Sequence, residues 1–250
     1  MREEYLHIND KTLLFNGVVT NPEELAKQFD MASTHAVDRN NSGRGTVYFI
    51  SREGQQQWVV REYRRGGLIG KFVGSTYFYW GLERTRMARE FRLLAQLYRQ
   101  GLPVPRPVAT QITCRGLICR GLLVTERLLG AKTLCQQLEG SAVPEDQWKE
   151  IGRCIRRFHD LDICHADLNA NNIMLDDEQV YLIDFDKGRV RHTSRNRWKR
   201  ANLARLRRSL NKLKASAPAF HFHEHNWQQL LEGYGDASAS CSNRTLKSER

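Results

Sequence analysis

The residue types best able to do chemistry lie together in CHADLNANNIMLDDEQVYLIDFDKG, Cys164 to Gly188. Asp167 follows His165 by two positions, Asn172 follows Asp167 by five, and Asp184 closes the apolar run VYLI. A carboxylate beside an attacking hydroxyl can take its proton, and a second carboxylate with an amide oxygen makes a hard donor set for Mg2+ on the phosphates of ATP. Two short apolar runs separated by D-D-E-Q read as a tight hairpin, which folds the Asp184 strand back beside the loop carrying Asp167 and Asn172. Singly, each residue has an ordinary explanation: Asn171 and Asn172 as turn formers, Asp167 as a cap, Asp184 as a strand-end acid. Their joint occurrence after a β-rich segment and a helix points to phosphoryl transfer.

The elements that must position these groups are legible as pattern changes. GRGTVYFI and QQQWVVREY read as strands joined by the polar connection Ser51 to Gln56. Met87, Phe91, Leu94 and Tyr98 recur at helical spacing, and that helix stops at Gly101 before LPVPRPVA. QITCRGLI and GLLVTERLL read as two further strands, so the chain up to Arg127 is a small sheet with one helix. Pro144, Glu145 and Asp146 then open a helix with Trp148, Ile151, Ile155 and Phe158 on its apolar face, an acidic start that suits the helix dipole. Leu203, Leu206, Leu210 and Leu213 form one stripe of a later helix. The expected organisation is an α+β, bilobal chain: an N-terminal region and sheet lobe over residues 1–127, a mainly helical lobe over 128–235, and a tail over 236–250.

Composition narrows the classes. At 250 residues the chain can bury a substantial core. No run of about 18 apolar residues could span a bilayer, and MREEYLHIND lacks the basic start and apolar core of a secretory signal, so a cytoplasmic protein is expected. Six cysteines without C-x-x-C spacing suit reduced thiols filling a core, and HFHEH (His221, His223, His225) lacks the partners of a metal site. The net charge of +11 is concentrated: Lys187 to Lys214 holds twelve Lys and Arg and no acid. Such a tract seeks phosphates on nucleic acid, anionic lipid or a phosphorylated substrate. Trp198 is its only aromatic, so base stacking is poorly supported and no nucleic-acid partner is expected.

The spacing H-x-D-x-x-x-x-N followed by D-F-x matches the kinase pattern. With VVREYRRGGLIGKF, RTRMAREFRLLAQLYRQGLPVPRPVA, HADLNANNIML, LIDFDKGRVR and NLARLRRSLNK, over roughly residues 40 to 215, the sequence resembles the bacterial lipopolysaccharide core kinases of the protein-kinase-like superfamily. That resemblance implies ATP- and Mg2+-dependent phosphorylation of the 4-hydroxyl of 3-deoxy-D-manno-octulosonic acid (Kdo) on a lipid A precursor. It also implies a peripheral enzyme at the anionic cytoplasmic face of the inner membrane, and no obligate protein partner is inferred. By matching positions, Asp167 is the catalytic base, Asn172 and Asp184 are the metal ligands, and Glu90 is the partner of the cation that positions the nucleotide. Arg61 stands where the kinase pattern V-A-I-K has its lysine, with Lys71 as the competing cation; arginine is a planar fork where lysine is a point charge. Gly43 and Gly45 would let backbone amides approach the ATP phosphates, although a hairpin alone would also use them. Glu126 and Leu128, through a carbonyl and an amide, are the hinge candidates for adenine. The acceptor alternatives are a heptose of the inner core or another small-molecule hydroxyl. Asn169 stands two residues after Asp167, where serine/threonine kinases place a lysine, Asp186 replaces the glycine of D-F-G, and no A-P-E segment follows. These departures favour a glycolipid or small-molecule acceptor over a peptide.

Overall fold

The structure, a computed structural model, describes residues 1–8, 11–25, 29, 47–51, 57–63, 77–78, 85–115, 118–191 and 196–235. Gly43, Gly45, Lys71 and the tail 236–250 lie outside the described residues. The chain divides into two compact units, Met1–Leu129 and Gly130–Arg250.

The first unit is built on one antiparallel sheet. Its strands are β1 (Glu3–Ile8), β2 (Lys11–Asn16), β3 (Val47–Ser51), β4 (Gln57–Glu62), β5 (Tyr77–Phe78), β6 (Pro107–Arg115) and β7 (Ile118–Glu126), in the order β1-β2-β6-β7-β4-β3 with β5 on β7. Period-two alternation decides what each strand presents. In β4, Trp58 and Val60 are fully buried with Leu13, Phe15, Val108 and Val124, so Arg61 falls on the opposite face. The sequence reading ended the connector too late: β6 starts at Pro107, inside the proline-rich stretch, and β7 starts at Ile118, before the expected Gly121. Pairing with β2, Phe15 opposite Ala109, draws that stretch into the sheet, and a proline at a strand's first residue forfeits little. The β1–β2 hairpin, in register from Glu3↔Asn16 to Ile8↔Lys11, was not anticipated.

A helix of this unit, α1 (Arg86–Arg99), buries Met87, Glu90, Phe91, Leu94 and Leu97. Thr85 caps it by accepting from the Ala88 amide at 3.3 Å. It ends in a Schellman motif: the Gly101 amide donates to Tyr98 O at 3.0 Å and the Leu102 amide to Leu97 O at 3.1 Å, with Gly101 at φ 70°. Leu97 and Leu102 are both buried by that closure. Tyr98, expected in the apolar stripe, is instead 39% exposed beneath the Arg106 guanidinium.

The second unit contains α2 (Leu134–Gly140), α3 (Glu145–Asp160), α4 (Arg197–Ser216) and α5 (Glu224–Gly235). Its short strands are β8 (Lys132–Thr133), β9 (Ile163–Cys164), β10 (Ile173–Leu175), β11 (Val180–Leu182) and β12 (Arg189–Val190); β10 lies between β11 and β8, and β12 pairs β9. Trp148, Ile151, Ile155 and Phe158 of α3 are buried, as the pattern requires. Cys135, Cys154 and Cys164 are free, buried thiols, and burial pushes Cys154 up to about 12. His221, His223 and His225 are exposed, whereas Phe222 between them packs on Trp148 at 5.7 Å. No helix among the described residues is long and apolar enough to cross a membrane.

Helices α3 and α5 meet backbone to backbone. A Cβ on Gly152 would lie 2.0 Å from Leu230 O, and one on Gly233 would lie 2.0 Å from Lys149 O. No side chain fits there, so Gly152→Ala must push the helices apart and should cost on the order of 2–3 kcal/mol. Gly101→Ala meets nothing within 4 Å and carries only the strain of positive φ, about 1 kcal/mol. Denaturant titration of the two variants should give that order, and the reverse order would mean that the close approach of α3 and α5 is not required.

Candidate active site

In the second unit the loop between β9 and β10 carries His165, Asp167, Asn169 and Asn172, and it is tied down by mostly half-buried polar bonds. The Asp167 amide donates to His165 Nδ1 at 3.3 Å, so the other ring nitrogen holds the proton and donates to Ile183 O at 2.8 Å. Burial lowers the His165 pKa, which keeps this neutral tautomer. The ring also packs edge-on to Phe185 at 4.7 Å, and Phe185 stacks on Phe158 of α3 at 5.6 Å. Asn169 and Asn172 both donate from Nδ2 to Asp167 O at 2.9 Å, and Asn169 Oδ1 accepts from the Asn171 amide.

The hairpin sets the second acid. Asp176 Oδ1 accepts from the Glu178 and Gln179 amides, turning β10 into β11, and Ile173 pairs with Leu182. The Ile183 amide then donates to Asn172 O at 3.0 Å, which brings Asn172 and Asp184 to the same end of the hairpin. Asp184 sits at φ 64°, a left-handed conformation that reorients the chain as the strand ends.

A second layer comes from α4 and α5. Asn202 donates from Nδ2 to His165 O at 2.6 Å, and its Oδ1 lies 3.1 Å from His159 Nε2. His159 must therefore donate from Nε2 and accept the Tyr234 hydroxyl at Nδ1, 2.9 Å away. Desolvation lowers its pKa to about 4. Arg205, one turn beyond Asn202, donates from Nη1 to Asp167 Oδ1 at 2.9 Å.

In the first unit, Arg61 Nη2 meets Glu90 Oε1 at 2.5 Å, and the Tyr63 hydroxyl donates to Glu90 Oε2. The Glu90 side chain is 1% exposed. Burial and then the Glu90 charge raise the Tyr63 pKa well above the phenol value, so Tyr63 remains a donor. Glu126 ends β7, its amide donating to Arg106 O at 2.9 Å and its carboxylate 3.5 Å from Arg106; Leu128 follows two residues on.

The structure thus brings Asp167, Asn172 and Asp184 together within one unit and Arg61 with Glu90 within the other. Sequence reasoning missed Tyr63, Asn202, Arg205 and Tyr234. Tyr63 follows Arg61 by two residues, just past the end of β4, so their shared face was available as a signal. Asn202 was visible as a polar residue one turn before Leu206 in a leucine stripe. Arg205 was one cation among many in its tract, and nothing local marked Tyr234.

A sheet unit with a buried cation–glutamate pair, followed by a helical unit with this loop and hairpin, defines a protein-kinase-like fold. A solved structure titled "WaaP in complex with acyl carrier protein" shares it at a TM-score of 0.57 over 89% of this chain and 88% of that one, with 16% identity. The chain belongs to the Lipopolysaccharide kinase (Kdo/WaaP) family, whose signature matches residues 28–234. Relatives named 3-deoxy-D-manno-octulosonic acid kinase include one from Photobacterium profundum, 44% identical over 193 residues, 77% of this chain and 80% of the relative. Another, from Haemophilus influenzae, is 41% identical over 203 residues, 77% and 82%. A third, from Vibrio cholerae, is 42% identical over 172 residues, 68% and 72%.

The His159 network carries a pH signature. Its imidazole titrates at about 4 in the folded chain against an ordinary 6.5, so the unfolded chain takes up the proton first as pH falls. The stability is full above pH 6.5 and is lost towards pH 4, on the order of 3 kcal/mol in all. The thermal midpoint should therefore fall between pH 7 and 5, and His159→Gln should flatten that slope. Parallel slopes in the two proteins would show that His159 is not held neutral.

Proposed function

We propose that this protein transfers the γ-phosphoryl group of ATP to the 4-hydroxyl of Kdo on a lipid A precursor. The observation that carries the phosphotransferase reading is the locked loop, in which Asn172 is bonded to the Asp167 carbonyl and shares the hairpin end with Asp184. The names of the relatives support Kdo as the acceptor sugar.

Each side chain then has a task. Asp167 accepts the hydroxyl proton as the acceptor oxygen bonds to the γ-phosphorus and the bond to the β,γ-bridging oxygen breaks, ADP leaving with the electron pair. Arg61, gripped by Glu90 and Tyr63, brings its positive charge to the ATP phosphates in this reading. Mg2+ suits the donors of the second unit: with its Nδ2 engaged on the Asp167 carbonyl, Asn172 would hold the ion through Oδ1, together with the Asp184 carboxylate. Bound there, the ion would neutralise charge on the phosphates of ATP. Glu126 and Leu128 remain the adenine-edge residues of this reading, through the carbonyl of one and the amide of the other.

The same reading places the protein on the anionic inner face of the inner membrane, with one revision to the residues. Of Arg205, Arg207, Arg208, Lys212 and Lys214, the cations that the leucine stripe places on the outer faces of α4, Arg205 is bonded to Asp167, Arg207 donates from Nη2 to both carboxylate oxygens of Glu224, and Lys214 donates to Pro218 O and Phe220 O. Leu206 and Leu210 of the stripe are fully buried, and Leu213 only partly. Arg208 and Lys212 remain exposed, and Arg197, not in that set, is exposed within about 60° of both at 100° per residue. Near an anionic surface each would contribute roughly 1 kcal/mol.

Asp167→Asn should keep the fold and ATP binding but lower turnover by about a thousandfold, since an amide cannot take the proton. Mass spectrometry of lipid A precursors with and without Kdo, after incubation with ATP, reads both the loss and the acceptor. A phosphate on the Kdo-free precursor would reject the acceptor assignment, and near-normal turnover of Asp167→Asn would reject the base.

Reversing Arg208 and Lys212 to glutamate should weaken binding to liposomes containing anionic lipid and slow reaction on lipid-linked acceptor, with added salt mimicking the change. Activity on a short soluble Kdo acceptor should hardly move. Equal losses on both acceptors would place these cations at the active site.

A further inference from the structure

The loop that carries Asp167 brings one carboxylate and no cation of its own. Residues 165–172 contain neither lysine nor arginine. Asn169, at the position where serine/threonine kinases have a lysine, is consumed locally at both ends: Nδ2 holds Asp167 O and Oδ1 holds the Asn171 amide. It cannot turn to a phosphate without releasing the loop. The Asp167 carboxylate is instead met from another element, by Arg205 of α4 at 2.9 Å.

Arg205 is placed for more than holding a salt bridge. Its side chain is 48% exposed and that of Asp167 37%, and an ion pair so accessible to water adds little to stability. A guanidinium has five N–H donors in a planar fork, and the bond to Oδ1 uses Nη1 alone. Neighbouring donors therefore lie beside Asp167 Oδ1, the oxygen that takes the hydroxyl proton in the function proposed above. The backbone of α4 is fixed there independently, by Asn202 on the His165 carbonyl and by buried Leu206.

We propose that Arg205 is a catalytic residue that takes over the task of the missing loop lysine: one edge of its guanidinium orients the Asp167 carboxylate, and the other N–H groups bind the γ-phosphoryl oxygens during transfer. The acceptor oxygen–phosphorus bond forms, the bond to the β,γ-bridging oxygen breaks, ADP departs with the electron pair, and the hydroxyl proton passes to Asp167 and then to water. Arg205 remains protonated throughout and exchanges no proton. This inference rests on the reading of Asp167 as the base.

The test uses the full chain with ATP, Mg2+ and a Kdo-bearing lipid A precursor in neutral detergent micelles, which removes any membrane contribution. Arg205→Ala should lower kcat by about 100-fold or more while KM for ATP moves by less than about threefold, because the contact matures in the transition state. Arg205→Lys should recover part of the rate. Millimolar guanidinium ion should restore activity to Arg205→Ala and none to Asp167→Asn, a response that a merely structural contact would not give. An active Arg205→Ala beside an inactive Asp167→Asn would overturn this inference and leave the base reading intact. Loss of activity without guanidinium rescue, with a matching fall in thermal midpoint, would overturn it in favour of a structural role. Near-normal turnover of Asp167→Asn would remove the base reading and this inference with it.

Discussion

His165 can make both of its ring hydrogen bonds only as a neutral imidazole protonated at Nε2, and the reactive loop depends on that single state. One nitrogen fixes the Asp167 amide, the other the carbonyl that precedes Asp184, so one buried ring sets the two acids from opposite sides. Protonation would turn the acceptor into a donor facing an amide N–H. Burial against Phe185 and Phe158 makes the charged form unfavourable, and the apolar core thereby fixes the electrostatics of a polar loop. The network continues through Asn202 and His159 to Tyr234. The glycine contact between α3 and α5 thus belongs to the same system, because it holds Tyr234 near His159.

Helix α4 divides three tasks by angle. Its buried stripe anchors it, Asn202 and Arg205 reach the loop, and Arg197, Arg208 and Lys212 face water. Net charge alone gave no basis for this division. A tract of twelve cations reads as one feature in sequence, whereas in the structure Arg207 and Lys214 are committed to Glu224 and to backbone carbonyls.

The elements governed by short-range rules were legible in the sequence. The α1 stop at Gly101, the α3 start at Glu145 and the β3–β4 pair follow from periodicity, caps and turn residues. The kinase-like spacing of His165, Asp167, Asn172 and Asp184 was visible for the same reason, since a loop and a hairpin are local. What pattern could not supply came from distant pairing: the start of β6 at Pro107 depends on β2, nearly a hundred residues earlier in the chain, and the Arg205–Asp167 bond spans thirty-eight positions. The hydrogen-bonding side chains of α4 and α5 are likewise unremarkable until the chain has folded.

The first unit solves a similar problem with a charge. Glu90 is buried, and an uncompensated carboxylate there would cost several kcal/mol. Arg61 satisfies Oε1 and Tyr63 satisfies Oε2, so both oxygens have partners, and Arg61 also lies 3.4 Å from the phenol oxygen. A lysine at position 61 would bring a single ammonium centre, where one edge of the planar guanidinium meets both Glu90 and Tyr63. Tyr63 makes the arginine workable: with its phenol proton retained by burial, it relieves Arg61 of the second carboxylate oxygen. The departure from lysine at this strand position and the tyrosine two residues later are therefore one structural adaptation, in which the wider cation and the added donor share a single buried acid.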